Sequence, residues 1–542
     1  MSAAQTSPGI QPVSTRVMNL ANFLSQAARR NPDDIGFVWR DEQWTWREME
    51  ARVNALASAL RDEFGLAKGD RVLIQSANCN QMFESMFACF RIGAVWVPAN
   101  YRQSPEEVAY LAKASGARGM ICGAAFPAHA QACRDGAPDL RFVLSIGASD
   151  FGDDIDAVIA RHAGATVAAV AVDRDDPCWF FFTSGTTGRP KAAVLTHGQM
   201  AFVVTNHLCD LMPGTSREDA SIVVAPLSHG AGVHQLVQVA HGVKTILLPT
   251  DKLDVPTVWA LVEQWRVTNI FTVPTILKLL VEDESVGRFD HSSLRYVIYA
   301  GAPMYRVDQK KALATLGAVL VQYFGLGEVT GNITVLPPAF HSAGDDEHAR
   351  IGTCGFERTG MQVEIQNDAG EVVAPGETGE ICVIGPAVFA GYFDNPEANA
   401  KAFRNGWFRT GDLGHMDAEN FVYITGRSSD MYISGGSNIY PREIEEKILL
   451  HPDVSEVAVF GIPDPMWGEV GVAVCVARAG ADTGTIELGR WLEGKVSRYK
   501  LPKRIVWWDE MPKSAYGKIA KKAIREEFER RHGVSPGENV PA

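Results

Sequence analysis

The chain has 542 residues, 46% of them hydrophobic and 21% charged, with a net charge of −13. One hydrophobic core does not serve a chain of this length, so two or more domains are expected. The acidic balance and the lack of a long basic run argue against a nucleic-acid surface, so a polyanionic ligand has to be held by local groups.

Nine cysteines are scattered from Cys79 to Cys475 with no C-x-x-C pair and no zinc-type histidine spacing, which predicts reduced thiols. Residues 1–17 have no apolar core, no uncharged run is long enough to span a membrane, and residues 539–542 match no lipidation or retrieval signal. The expectation is a soluble, cytoplasmic protein without integral membrane association.

In chain order, residues 18–30 have helical apolar spacing, and 35–39 with 42–46 read as a strand hairpin. Thr45 is placed to cap a helix through Met49, Val53, Leu56, Ala57 and Leu60. Strands at 71–75, 94–98, 119–122 and 142–146, with a helix at 80–91, give the alternation of a parallel wound sheet.

Residues 178–191 carry the densest chemical signal. An apolar run suited to a buried strand breaks into Thr183, Ser184, Gly185, Thr186, Thr187 and Gly188, and the stretch ends at Lys191. Glycines let backbone approach an anion, the hydroxyls donate hydrogen bonds and the lysine adds a positive charge, so this is a phosphate grip. It is not a Walker loop. Arg189-Pro190 intervenes, and residues 192–196 read as another strand rather than a helix.

Beyond the grip, 197–211 is helical, and a strand from Ser221 delivers His229 into a glycine-rich turn, the kind of strand end where wound sheets hold ligands. Further β-rich runs cover 243–248, 269–273 and 296–300, and the small-residue turns at 299–303 and 322–330 allow backbone to face a flat ligand. A charged helix closes the pattern at 520–532.

Together these stretches resemble the adenylate-forming superfamily of acyl-CoA synthetases, peptide-synthetase adenylation domains and beetle luciferases. The motifs that carry the resemblance lie in order at 183–191, 226–232, 323–328, 376–380, Gly391-Tyr392, 407–412, Gly426-Arg427 and 512–518, and it extends from residue 44 to residue 518. It implies an α/β fold: a large N-terminal domain of β-sheets flanked by helices (1–427) and a small mobile α+β C-terminal lid (428–542).

The implied reaction is activation of a fatty or aromatic acid by ATP as an acyl adenylate, followed by transfer to coenzyme A. Alternatives are loading of a carrier protein, or a non-catalytic nucleotide-binding regulator. The implied partners are thus a small carboxylic acid, ATP and CoA, and a homodimer is the assembly left open.

Carried over by the resemblance, residues 183–191 hold the β- and γ-phosphates, Glu328 binds Mg²⁺, and Gly301, Ala302 and Pro303 face adenine. Gly325, Leu326 and Gly327 form the turn before Glu328, with Gly327 standing where many relatives have a threonine that reaches the α-phosphate. Phe324 widens the spacing from Tyr323, which leaves the role of Tyr323 open. Asp412 and Arg427 take the ribose, Lys518 bridges the attacking carboxylate and the α-phosphate, and Gly435 and Gly436 line the pantetheine tunnel. His229 matches a gate residue beside the acyl pocket. Ser429 occupies the usual hinge place. Residues 229–235, the helix from Pro274 and Ala300, Gly301 and Ala302 are expected to line an apolar acyl pocket without an arginine clamp.

Overall fold

The computed structural model describes residue 15 and residues 17–183, 189–302, 304–345, 349–427, 429–434, 437–513 and 519–532. Among these residues the strands form four sheets.

The first has nine strands in the order Phe356–Glu357, Thr334–Leu336, Leu320–Phe324, Tyr296–Tyr299, Asn269–Thr272, Ala220–Val223, Lys244–Leu247, Ile35–Trp39 and Glu42–Thr45. It is parallel through the middle and antiparallel at its edges. The second has seven strands, ordered Asp153–Asp154, Phe142–Ile146, Ala117–Gly123, Arg71–Gln75, Val95–Ala99, Pro177–Thr183 and Lys191–Thr196. It is parallel except for its last pair.

Strand alternation explains how the two sheets stack. Val72 and Ile74 enter one large inner core while Leu73, between them, enters an outer one; likewise Phe271 and Ile298 face inward and Ile270 and Val297 outward. The inner core joins both sheets through the helices Ala21–Arg30, Trp46–Ser58, Asn80–Ile92, His197–Asp210 and Gly230–His241 packed between them. Local sequence fixes where these helices start. Thr45 with Glu48 and Thr196 with Gln199 each form a capping box.

A third, antiparallel sheet is built from strands between Gln362 and Arg427. The fourth uses Tyr432–Ser434, Ser437–Ile439, Val454–Asp464, Gly468–Ala477 and Arg504–Trp507, and packs against the helices Pro441–Leu449 and Lys521–His532. This is the α/β architecture expected, a large N-terminal unit with a small α+β unit after it.

Two expectations are corrected. The first helix begins at Ala21 rather than residue 18. The helix Pro274–Glu282 lays Leu277, Leu280 and Val281 on the outer face of the nine-stranded sheet, opposite the helix that begins at Gly230, so the two helices do not wall one pocket. The crossover helices of a wound sheet cover both faces, and the apolar pattern of the segment does not say which.

Candidate active site

The segment expected to grip phosphate joins the last two strands of the seven-stranded sheet, Pro177–Thr183 and Lys191–Thr196. Thr183 and Lys191 face each other in register at its base. Ser184, Gly185, Thr186, Thr187 and Gly188 lie outside the described residues. On the exit side, Tyr110 Oη donates to Pro190 O at 3.1 Å and the Arg189 guanidinium sits 5.5 Å from the Tyr110 ring. These contacts anchor the base of the turn.

Glu328 stands opposite, in the short 3₁₀ turn Gly327–Val329 that follows the strand Leu320–Phe324. Glu328 is 5% exposed. Thr183 Oγ1 donates to Glu328 Oε1 at 2.8 Å, and Tyr392 Oη donates to the same oxygen at 2.9 Å. Among the described residues Oε2 receives no such donor.

A strap at 389–393 brings Tyr392 there, because Val194 N donates to Gly391 O, Ala390 N to Val194 O and Phe393 N to Ala192 O. Phe389 N also donates to Glu328 O at 2.8 Å. Lys191 Nζ lies 4.7 Å over the Tyr392 ring. One tyrosine thus joins the grip's lysine to the buried glutamate.

Gly327 has a steric reason to be glycine. A Cβ built there would lie 2.6 Å from two carbons of the Phe181 ring and 2.9 Å from Thr183 Cγ2. Phe181 fills the space a larger residue would take, and its ring also lies against the imidazole of His229, at 4.5 Å between ring centroids. His229 is the residue preceding the helix Gly230–His241, at the C-terminal edge of the nine-stranded sheet.

Gly301 is exposed in a left-handed turn (φ +83°) and Ala302 is half-buried; both follow the strand Tyr296–Tyr299. The base of this turn is stiff. Tyr299 Oη donates to Gln322 Oε1 at 3.0 Å, accepts from Gln309 Nε2 at 3.3 Å and lies 3.0 Å from His341 Nε2. Burial raises the Tyr299 phenol and lowers the His341 imidazole to about 4, so both are neutral at pH 7.

Asp412, in the strand Trp407–Met416, is paired in register with Arg427, whose Nε donates to Asp412 Oδ1 at 3.0 Å. Asp412 is buried and the Arg427 side chain is 47% exposed. The turn ahead of Asp412 is held by Glu380, which accepts from Gly411 N and pairs with Arg409.

The sequence model of the AMP-binding enzyme matches residues 24–393, and that of the AMP-binding enzyme C-terminal domain matches residues 443–518. The chain belongs to the AMP-binding enzymes. Within the adenylate-forming superfamily it is of the acyl-CoA synthetase type.

This AMP-binding enzyme is 35% identical over 515 residues to a feruloyl-CoA synthase of Amycolatopsis sp., covering 95% of this chain and 100% of the relative. It is 33% identical over 514 residues to the long-chain-fatty-acid–CoA ligase FadD13 of Mycobacterium tuberculosis (94% and 98%). Among solved structures, that of the amide bond synthetase McbA from Marinactinospora thermotolerans superposes with a TM-score of 0.84 at 26% identity, covering 94% of this chain and 100% of that one.

In this AMP-binding enzyme Thr183, Lys191, Glu328 and Gly327 come together. His229 joins them through Phe181, and Gly325 and Leu326 form the half-buried lead into the turn. Asp412 and Arg427 form a separate pair on the third sheet. Pro303, Gly435, Gly436 and Lys518 lie outside the described residues.

Three contributors were not legible as site residues: Tyr392, Phe181 and Arg358. Tyr392 stood in a recognised Gly-Tyr motif, which was the available signal. Phe181 looked like strand filler. Arg358, 1% exposed, lies with its guanidinium 5.9 Å from the Tyr323 ring, a proximity no spacing announces.

Proposed function

We propose that the protein is an ATP-dependent carboxylic acid:CoA ligase that activates an apolar monocarboxylic acid, fatty or aromatic, as its acyl adenylate. The observation that carries this is Glu328, buried and bonded to Thr183 of the grip and to Tyr392, whose ring also carries Lys191. Such a cluster suits phosphoryl chemistry, where catalysis is mostly positioning and charge stabilisation.

In the first step a carboxylate oxygen bonds to the α-phosphorus of ATP, the bond from that phosphorus to the bridging oxygen breaks, and pyrophosphate leaves. In the second, the sulfur of CoA bonds to the acyl carbon, AMP leaves, and the thiol proton passes to solvent. Residues 183–191 grip the departing pyrophosphate, Lys191 offsetting its charge. Gly301, Ala302 and Pro303 face adenine, with Gly325 and Leu326 beside it. Asp412 and Arg427 hold the ribose hydroxyls.

His229 gates the acyl pocket. Lys518, on the lid, stabilises charge between carboxylate and α-phosphate, and Gly435 and Gly436 line the thiol's path. We place the domain boundary after Arg427, with Ser429 in the hinge.

A magnesium ion fits Glu328. A hard, buried carboxylate with one oxygen clear of donors from the described residues is a suitable single ligand for an ion that completes its shell with phosphates and water. Bound there, Mg²⁺ would offset phosphate charge. Eight of the nine cysteines are buried and all are free, which supports a reducing, cytoplasmic setting. No described helix is long and apolar enough to cross a membrane.

The deciding experiment is acid-dependent pyrophosphate release and exchange, with and without CoA, followed by thioester detection. The reading requires exchange without CoA and thioester only with it. Exchange with no thioester would favour a carrier-protein acceptor, and no ATP turnover with any acid would favour a nucleotide-binding regulator.

A further inference from the structure

Two aromatic rings pack beside Gly230, the residue after His229. Phe271 and Tyr323 stand on the inner face of the nine-stranded sheet with rings stacked at 6.1 Å and 19°. They fill the gap between the first turn of the helix Gly230–His241 and the turn at Gly331. A Cβ at Gly230 would lie 2.7 Å from Phe271 Cζ and 3.6 Å from Tyr323 Oη, and one at Gly331 would run into the Tyr323 ring. Both rings are buried.

Behind them the protein is polar rather than hollow. His207 lies 6.1 Å and the Arg358 guanidinium 5.9 Å from the Tyr323 ring, and His234 lies 5.8 Å from Phe271. Arg358 is engaged by Asp210 at 3.6 Å, by His207 Nδ1 at 3.2 Å and by Gly331 O at 3.4 Å. His234 Nε2 meets Asn269 and Gln238. Towards Gly327 the neighbours are aromatic too, with His229 against Phe181.

We propose that the acyl pocket is a short slot with aromatic groups at both ends, closed by Phe271 and Tyr323, and that the acid activated is a compact planar aromatic monocarboxylate rather than a long-chain fatty acid. The proposal rests on the ligase reading, with the carboxylate reacting near Gly327 and Glu328. Gly327 is four residues beyond Tyr323, so the chain separates them by at most about 14 Å. A long alkyl chain would have to displace Tyr323 or enter the layer that holds Arg358 and Asp210. Neither gives its methylenes the apolar burial on which such substrates depend.

A flat ring reaching the same floor gains stacked or edge-to-face contact with each aromatic neighbour. Arg358 is already paired, which disfavours a second carboxylate at that end.

The test compares kcat/KM for pyrophosphate release with cinnamate, benzoate, hexanoate and hexadecanoate. The wild-type protein should favour cinnamate over hexadecanoate by tenfold or more. Tyr323→Ala should shift that ratio at least tenfold towards hexadecanoate. Phe271→Leu, a milder change at the same floor, should shift it the same way and serves if Tyr323→Ala does not fold. A wild-type preference for hexadecanoate, or an unchanged ratio in a folded variant, would overturn the inference and leave the ligase reading standing. Absence of pyrophosphate release with every acid would instead overturn the ligase reading.

Discussion

Tyr392 and Thr183 place two donors on one oxygen of Glu328, so removing either hydroxyl has a calculable consequence. Tyr392→Phe keeps the ring under Lys191 and deletes one charge-assisted bond. A loss of about 1–1.5 kcal/mol corresponds to a five- to tenfold fall in kcat/KM for ATP, read by pyrophosphate release. Thioester formation from supplied acyl adenylate should hardly change.

Gly327 makes a sharper case. The sequence marked it as a missing hydroxyl; the structure gives the reason, since Phe181 already occupies the space. Gly327→Thr alone should therefore cripple adenylation, while Phe181→Leu combined with Gly327→Thr should recover at least tenfold over the single variant. A double variant no better than Gly327→Thr would refute this packing account.

At the level of elements, the cap at Thr45 and the strand–helix order were legible because they depend on neighbours a few residues apart, although the first helix starts later than its apolar spacing suggests. The cap at Thr45 and the strand at 71–75 are examples. The strap at 389–393 and the outer placement of the helix Pro274–Glu282 were not, because they depend on which distant segment lies alongside. The chemical identity of Glu328 could be read from its motif, but its partners could not.

The helix His197–Asp210 also carries a pH dependence. His197 is buried, its Nδ1 accepts from Leu20 N at 3.3 Å, and Asp176 and Lys68 are the charges that act on it. Burial lowers His197 to about 4, and His234 likewise. Unfolded imidazoles titrate near 6.5, so below that value the unfolded chain binds the extra protons. The stabilisation is full above about pH 6.5 and is lost as pH falls towards 4, by an amount on the order of a few kcal/mol. Urea midpoints at pH 7, 5.5 and 4.5 should fall in that order, and His197→Gln should flatten part of the slope. A midpoint constant across this range would contradict the assignment.

Across the whole molecule, the proposed functional groups come from four regions: the grip on the seven-stranded sheet, Glu328 and His229 on the nine-stranded sheet, Asp412 with Arg427 on the third sheet, and the proposed lid lysine, Lys518, which lies outside the described residues. The family was visible in the order of motifs, whereas the stacking of Tyr323 on Phe271 and its approach to Arg358 were not, because these residues meet only after folding. The central claim is a ligase that works in two separable steps, with a lid lysine serving only the first. It is tested most directly by assaying Lys518→Ala in both half-reactions. Pyrophosphate release from acid plus ATP should be abolished while thioester formation from supplied acyl adenylate and CoA proceeds near the wild-type rate; equal loss of both, or unimpaired adenylation, would contradict the account.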